Sequence, residues 1–439
     1  MGMNLIWHRA DLRLHDNPAL TQALRAGPTV GLVVLDSQIL EATSPRRRAW
    51  FTQNVAALRQ AYAQRGGHLL VRQGLPWEVL PQVVGQLQAK EVFVTRNYTP
   101  YARLRDEKVE AALGRKLRGF AGQYIHEPGS ILKPDGGPYT VFTPYSKRWW
   151  AAAAPQLPEA PLKFLPVELP LAEGEISAYT SDIPLPPVGE EAALHILSRF
   201  LDTRLENYHL QRDRLDGSGV SRLSYYFTLG ILSPRLAAQQ AMRRGGEGAR
   251  KWVAELAWRD FSGDLLWHRP SMRTQSFDPR WEKLNWHHDE ELFEAWKQGR
   301  TGIPVVDGCM RELNATGFMS NRGRMVVAQA LVKLFLLPWT WGERWLKDQL
   351  LDGDTASNLQ GWQWAGGLGV DAAPYFRVFN MTAQAAQHDP KGDWLRRWVP
   401  ESGGNPEPYN PVIDLEAARR RYLVLAERIA KQERPGGPA

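Results

Sequence analysis

The sequence predicts an α/β N-terminal domain with a Rossmann-like parallel sheet, joined by a long linker to an all-α domain. Three observations carry that expectation. Over residues 1–127, short apolar runs alternate with helix-period segments, the βαβα pattern of a parallel sheet with helices on both faces. Residues 128–190 are rich in Pro and Gly without a sustained period, as a surface connector is. Over residues 191–439, apolar positions recur almost throughout at i, i+3, i+4, the stripe of packed amphipathic helices.

In the first domain NLIWH (4–8), TVGLVVLD (29–36), HLLVRQ (68–73) and EVFVTR (91–96) read as buried strands. They are short, continuous in apolar residues and rich in Val, Ile and Leu. Asn17-Pro18 suits an N-cap followed by Pro at the first helical position. Helical periodicity follows over 46–67, 76–89 and 101–114. The first strand runs into HRADLRLHDN and not G-x-G-x-x-G. A sheet without that turn is not expected to hold a dinucleotide in the usual way. The connector holds PGSILKPDGGP (128–138) and APQLPEAPLKFLPVELPL (154–171). Helices are then expected over 190–215, 233–245, 249–267, 289–299, 305–317, 324–339, 343–351 and 415–432, and the tail RPGGPA (434–439) should fray.

Composition narrows the function classes. At 439 residues the chain can bury a large core. No apolar run is long enough to span a membrane, and no signal-peptide pattern opens the chain. A single cysteine, Cys309, forms no internal disulfide, fits a cytoplasmic location, and excludes zinc fingers and iron–sulfur clusters, so no metal is expected. The net charge of +7 suits a polyanionic partner, though it equally suits a generically basic protein. Eighteen tryptophans point to base stacking, flavin stacking or electron transfer, because Leu and Phe fill a core with no N–H to satisfy.

The most informative stretch is DGDTASNLQGWQWAGGLGVDAAPYFRVFN (352–380). Trp362 and Trp364 are two apart, so on a helix they face different neighbours. The small residues around them let a flat ligand approach the backbone. This stretch resembles the flavin-binding segment of the DNA photolyase/cryptochrome family. The resemblance runs end to end. Trp7, Arg9, Asp11, Leu12, Arg13, Asp16 and Asn17 match the family's opening W-x-R-x-D-L-R-x-x-D-N. SRLSYYFTLGILSPR (221–235), ELAWRDF (255–261), GRTGIPVVDGCMREL (299–313) and TGFMSNRGRM (316–325) follow in the family's order. The branch most resembled is the bacterial class I cyclobutane pyrimidine dimer photolyase.

That resemblance implies FAD in the helical domain and blue-light repair of cyclobutane dimers in DNA by electron transfer from excited reduced FAD. It implies that Tyr208, Ser221, Arg222, Leu223, Ser224, Trp252 and Arg259 hold phosphates and nearby groups; Ser221 taken alone suits helix capping equally. Val220 stands where the family usually has Thr or Gly. Arg324 and Asp352 match an ion pair beside the flavin, and Asp354 an acceptor for flavin or ribityl donors. Asn358 matches the residue facing flavin N5, where plant cryptochromes carry Asp and insect ones Cys. Trp362, Trp339 and Trp296 match proximal, middle and distal electron donors. In the lesion pocket Glu255 reads the base edge and Trp258 stacks, with Trp364, Asn321 and Met325 completing the wall. Arg212, Arg322 and Arg377 match residues that grip the DNA backbone. Extrusion of the lesion into a pocket is a known property of the family.

A second, antenna chromophore is often present in this branch. Tyr101-Ala102 stand where folate-binding members carry Asn-Glu, which favours FMN or deazaflavin over folate, or no antenna; Arg9 and Arg47 are candidate contacts. Leu359-Gln360 and Phe318 also depart from common family residues. The expected protein is a monomer acting on dimer-containing DNA, with no obligate protein partner and no membrane. A signalling cryptochrome and a general flavin oxidoreductase are the competing classes. The first often adds a long C-terminal extension; the second needs a nicotinamide site that nothing here resembles.

Overall fold

The computed structural model describes residues 3–153, 163–371 and 375–432. The tail 434–439 and part of the Pro-rich connector lie outside them. The chain divides into two compact units, each discontinuous in sequence: 1–136, 146–206 and 221–267 form the first, and 137–145, 207–220 and 268–439 the second.

The first unit is built on a five-stranded parallel sheet in the order β3-β2-β1-β4-β5. The strands are β1 (Asn4–His8), β2 (Thr29–Asp36), β3 (Leu69–Gly74), β4 (Glu91–Thr95) and β5 (Arg118–Phe120). Leu5 stands opposite Val30 on one side and Val92 on the other. Alternate residues point to one face, so Leu5, Trp7, Val30, Leu32, Val34, Val92 and Val94 pack with Leu80, Val83, Leu87 and Val109 of the covering helices. Helices Pro18–Ala26, Pro45–Ala63, Pro76–Leu87 and Pro100–Leu113 all begin at a proline, where the missing N–H costs nothing. Asn17 caps the first, accepting from the Leu20 amide at 3.1 Å.

β5 is absent from the sequence expectation. Three residues, one exposed and two half-buried, carry no measurable period. Among its described residues the connector contains one helix, Phe142–Ala151. Further on, its Glu173 carbonyl accepts from the Val71 amide at 2.7 Å, and Arg72 donates to the carbonyls of Ala172 and Glu173. The segment thus covers β3, which would otherwise be an open sheet edge. The helix expected over 190–215 stops at Thr203 and a short turn, Tyr208–Gln211, follows. At the break the Leu205 carbonyl approaches Gly248 too closely for any side chain there, a tertiary contact that periodicity does not report.

The second unit is helical: Glu290–Gln298, Pro304–Thr316, Asn321–Gln329, Trp339–Gln349, Thr355–Gly366, Met381–His388, Asp393–Trp398 and Leu415–Ala430. The helix expected over 324–339 begins at Asn321, passes into a π turn at Ala330–Leu334, and ends there. Phe335, Leu336 and Leu337 form a buried turn, with Leu336 at φ +53°. A buried apolar turn and a buried helix share one composition, so the run read as continuous. No helix among the described residues is long and apolar enough to cross a membrane, and no cluster of His, Cys, Asp or Glu among them is placed to hold a metal ion.

Candidate functional site

Helix Thr355–Gly366 organises the expected site residues of the second unit. Asp354 caps it, Oδ1 accepting from the Ser357 amide at 2.8 Å. Gly367 ends it at φ +71°, a conformation that glycine adopts without strain. Asp352, just before the cap, is buried, and both its oxygens accept from Arg324 Nη2 at 2.8 Å. A buried carboxylate needs such a partner. Arg324 Nε also donates to the Met319 carbonyl at 3.1 Å. Its side chain stays 28% exposed, so the pair leaves a cationic edge accessible beside the helix.

Asn358 is buried one turn further along. Its Nδ2 donates to the Glu343 carbonyl at 3.0 Å and to Glu343 Oε1 at 2.9 Å. A backbone carbonyl only accepts, so the amide orientation is settled. The amide oxygen is left as an acceptor, with no hydrogen bond to it among the described residues. Burial pushes the Glu343 carboxyl above its usual range, against the Lys347 charge and the Asn358 bond. Glu343 was missed by sequence reasoning. A buried carboxylate and a solvated one look alike on a helix.

Trp362 faces inward and Trp364 is half-exposed. The electron path needs a correction at its outer end. Trp296, expected as the distal tryptophan, is 0% exposed. Its ring lies 6.1 Å from Trp362, and its Nε1 donates to the Val327 carbonyl at 3.2 Å. A ring with no solvent contact is not the surface end of a path, and this one touches the proximal position. Trp339 is buried as well. Trp286 and Trp341 of the same unit are half-exposed, and Trp341 reaches Trp296 through Phe293, at 5.2 and 5.7 Å. Spacing alone does not tell which tryptophan of LNWHHDEELFEAW meets water.

The expected DNA residues of this unit fall into groups. Asn321 and Met325 stand one turn apart, with Asn321 Nδ2 3.8 Å from the Met325 sulfur. Arg322 Nη2 lies 3.1 Å from Asp213, and Arg212 Nε 3.8 Å from the same carboxylate. Arg212 is also 6.0 Å from the buried Tyr208 ring. Asp213 is a second residue not singled out from sequence. Arg377 is exposed, beside an exposed Phe376.

In the first unit, Glu255 and Trp258 share the half-exposed strip of helix Gly246–His268. On the same strip Arg259 donates to the Gln123 carbonyl at 2.7 Å and lies 4.5 Å from the Tyr124 ring. Trp252 is buried against Phe200 and Phe227. Ser221 Oγ accepts from the Leu223 amide at 3.4 Å, and Arg222 sits at φ +56°. The loop therefore turns sharply before helix Ser224–Thr228, and Ser221 caps the turn and not the helix.

The opening motif is a buried brace. Asp11 accepts from the Arg9 amide, Asn17 and Thr95 at 2.7–3.2 Å. Burial would raise its carboxyl, but the neighbouring His8 and these bonds hold it well below the usual range. Arg13 donates to the carbonyls of Asp16, Gly122 and Gly230. Arg9, a candidate antenna contact, is instead engaged by Asp106 at 2.6 Å, by the Thr95 carbonyl and by the Trp7 ring at 4.6 Å. Arg47 is half-buried on helix Pro45–Ala63. Tyr101 donates to Asp36 at 2.5 Å.

A family model for DNA photolyase matches residues 4–162, and one for the FAD binding domain of DNA photolyase matches residues 252–424. A deoxyribodipyrimidine photo-lyase of Thermus thermophilus is 56% identical over 434 residues, covering 98% of this chain and all of the relative. The photo-lyase of that name from Escherichia coli is 35% identical, covering 98% and 100%. Among solved structures, a class III photolyase from Agrobacterium tumefaciens superposes with a TM-score of 0.89 at 30% identity, covering 98% of each chain. A Synechocystis cryptochrome superposes with 0.88 at 28% identity, covering 96% of this chain and 99% of its own.

Proposed function

The chain belongs to the DNA photolyase family, and we propose from that premise that it repairs cyclobutane pyrimidine dimers in DNA under light, as a carbon–carbon lyase with FAD as cofactor. The observation that carries this reading is full-length identity of 56% to a deoxyribodipyrimidine photo-lyase. The donor set fits the cofactor. Arg324 offers a cation with an accessible edge, and Asn358 offers an acceptor whose orientation Glu343 holds. Reduced FAD, when bound, supplies the light-excited electron that opens the cyclobutane ring and is returned afterwards.

The chain's own residues bind, orient and stabilise. Arg324 and Asp352 provide a fixed charge pair beside the ring, which favours an anionic reduced state. Asn358 presents an amide oxygen, which has no proton to give. Asp354 accepts ribityl or flavin donors with the oxygen not used by the cap. The Ser221–Ser224 loop of the first unit, with Arg259 and Trp252, keeps the phosphate-side assignment, and so, by itself, does Tyr208 of the second. Glu255 bonds the base edge and Trp258 stacks, while Trp364, Asn321 and Met325 add apolar and amide surface. Arg212, Arg322 and Arg377 contact phosphates, which position the strand without reading it. The second chromophore, if bound, is of the FMN or deazaflavin type, and the working species is a monomer.

Lesion choice follows from Asn321 and Met325. A 6-4 lesion needs an acid to protonate it, and neither side chain is one. The test is illumination of reduced protein with DNA carrying each defined lesion. Cyclobutane dimers should be reversed and 6-4 products left intact. Efficient 6-4 repair, or no repair of either, would overturn the reading and favour a signalling role.

A further inference from the structure

Two polar side chains interrupt the apolar run that follows Arg324. Gln329 and Lys333 are four residues apart, one on helix Asn321–Gln329 and the other in the π turn after it. Both are buried, Lys333 to 1% exposure. An ammonium in that position needs acceptors, and it finds them in another segment's backbone. Lys333 Nζ donates to the Arg377 carbonyl at 2.9 Å and the Tyr375 carbonyl at 3.4 Å, with the Tyr422 ring at 5.5 Å. Gln329 Oε1 accepts from the Phe379 amide at 2.9 Å. The bonds fall on alternate residues, 375, 377 and 379.

No backbone–backbone hydrogen bond among the described residues holds the stretch 375–379. These two side chains supply its hydrogen-bonded tether among the described residues, beside a contact of the Tyr375 ring with Trp281 at 5.9 Å. On the stretch stand Phe376, 62% exposed, and Arg377, also exposed. We propose that Lys333 and Gln329 form a buried anchor that sets the presentation of Phe376 and Arg377 to DNA, Lys333 being a positioning residue. The inference rests on the reading of Arg377 as a phosphate contact. A loop ordered before binding loses less conformational entropy on binding, so the anchor contributes to affinity without touching the nucleic acid. Its burial lowers the Lys333 pKa to about 7, with the nearby Arg377 charge acting the same way, as befits a group enclosed by protein.

The test is a double-mutant cycle on the full-length flavin-loaded protein, with a cyclobutane-dimer oligonucleotide as probe. Lys333→Met should keep its flavin absorbance and photoreduction yet bind the probe about tenfold more weakly, the scale of a lost phosphate contact. Arg377→Ala should weaken binding by a similar factor. The double variant should lose clearly less than the two single losses combined, since coupled residues are non-additive. A purely structural role for Lys333 would give additive losses, and that result overturns the anchor, as does native affinity in Lys333→Met. If Arg377→Ala also binds normally, the phosphate reading itself has failed. Should Lys333→Met not retain flavin, Gln329→Met removes one bond and no charge, and carries the same cycle.

Discussion

Asp352 has two bonds to one guanidinium and almost no water, so its replacement has a defined consequence. Asp352→Ala leaves Arg324 without its carboxylate beside the proposed flavin position, at a cost of about 1–3 kcal/mol. The variant should lose FAD on purification and unfold at lower temperature; full flavin content with normal photoreduction would remove the pair from the site. Lys333 gives a second expectation at this scale. Its pKa is about 7 in the fold against 10.5 for the ordinary group. Between those values the unfolded chain binds the extra proton, so stability should rise with pH from about 7 towards 10.5. In denaturant titrations across that window, the stability of the native protein should change more positively with pH than that of Lys333→Met, the difference isolating this group from others that titrate there. Asp352 and Arg324 were legible from the sequence because a family motif carries them. Glu343 and Lys333 were not, because only packing turns an ordinary Glu or Lys into a buried one.

Helix Thr355–Gly366 concentrates the chemistry because 3.6 residues per turn send Trp362 and Trp364 to different environments. Trp362 packs on Trp296 and Trp364 stays at the half-exposed side. Trp362→Phe should therefore block light-driven reduction of oxidised flavin, by removing the nearest oxidisable ring. Repair by chemically pre-reduced protein should persist; loss of both would indicate damage to the helix. The outer end of the path, placed at Trp296, was misjudged because the contact partners sit on separate helices. Helix existence was partly legible: Phe142–Ala151, Met381–His388 and Asp393–Trp398 were not singled out, and the runs 190–215 and 324–339 were read too long. There, close approach at Gly248 and a buried turn around Leu336 end helices whose apolar period runs on.

Across the whole molecule, a net charge of +7 and several arginines suited to phosphate make binding to DNA an ion-exchange process. Affinity for dimer-containing DNA should fall as salt rises. Arg377→Ala should flatten the slope of log affinity against log salt by about one. An unchanged slope would take Arg377 out of the interface. The same basic surface predicts weaker, sequence-independent binding to undamaged DNA.

The sequence by itself determined the fold class, the order of the strands along the chain and the family. Those properties follow from local period, from prolines at helix starts such as Pro18 and Pro45, and from motifs spread along the whole chain. It also determined that no acid stands at the Asn321 and Met325 positions. The tertiary structure alone decided how polar side chains are used. Arg9 went to Asp106, Ser221 to a turn, Asn358 to Glu343 and Trp296 to the interior. All of these but the Ser221 turn depend on a partner well separated in sequence. Desolvation, which makes an Asp, Lys or Trp either a tool or a piece of core, is a property of the packed neighbourhood, and no window of the chain contains it.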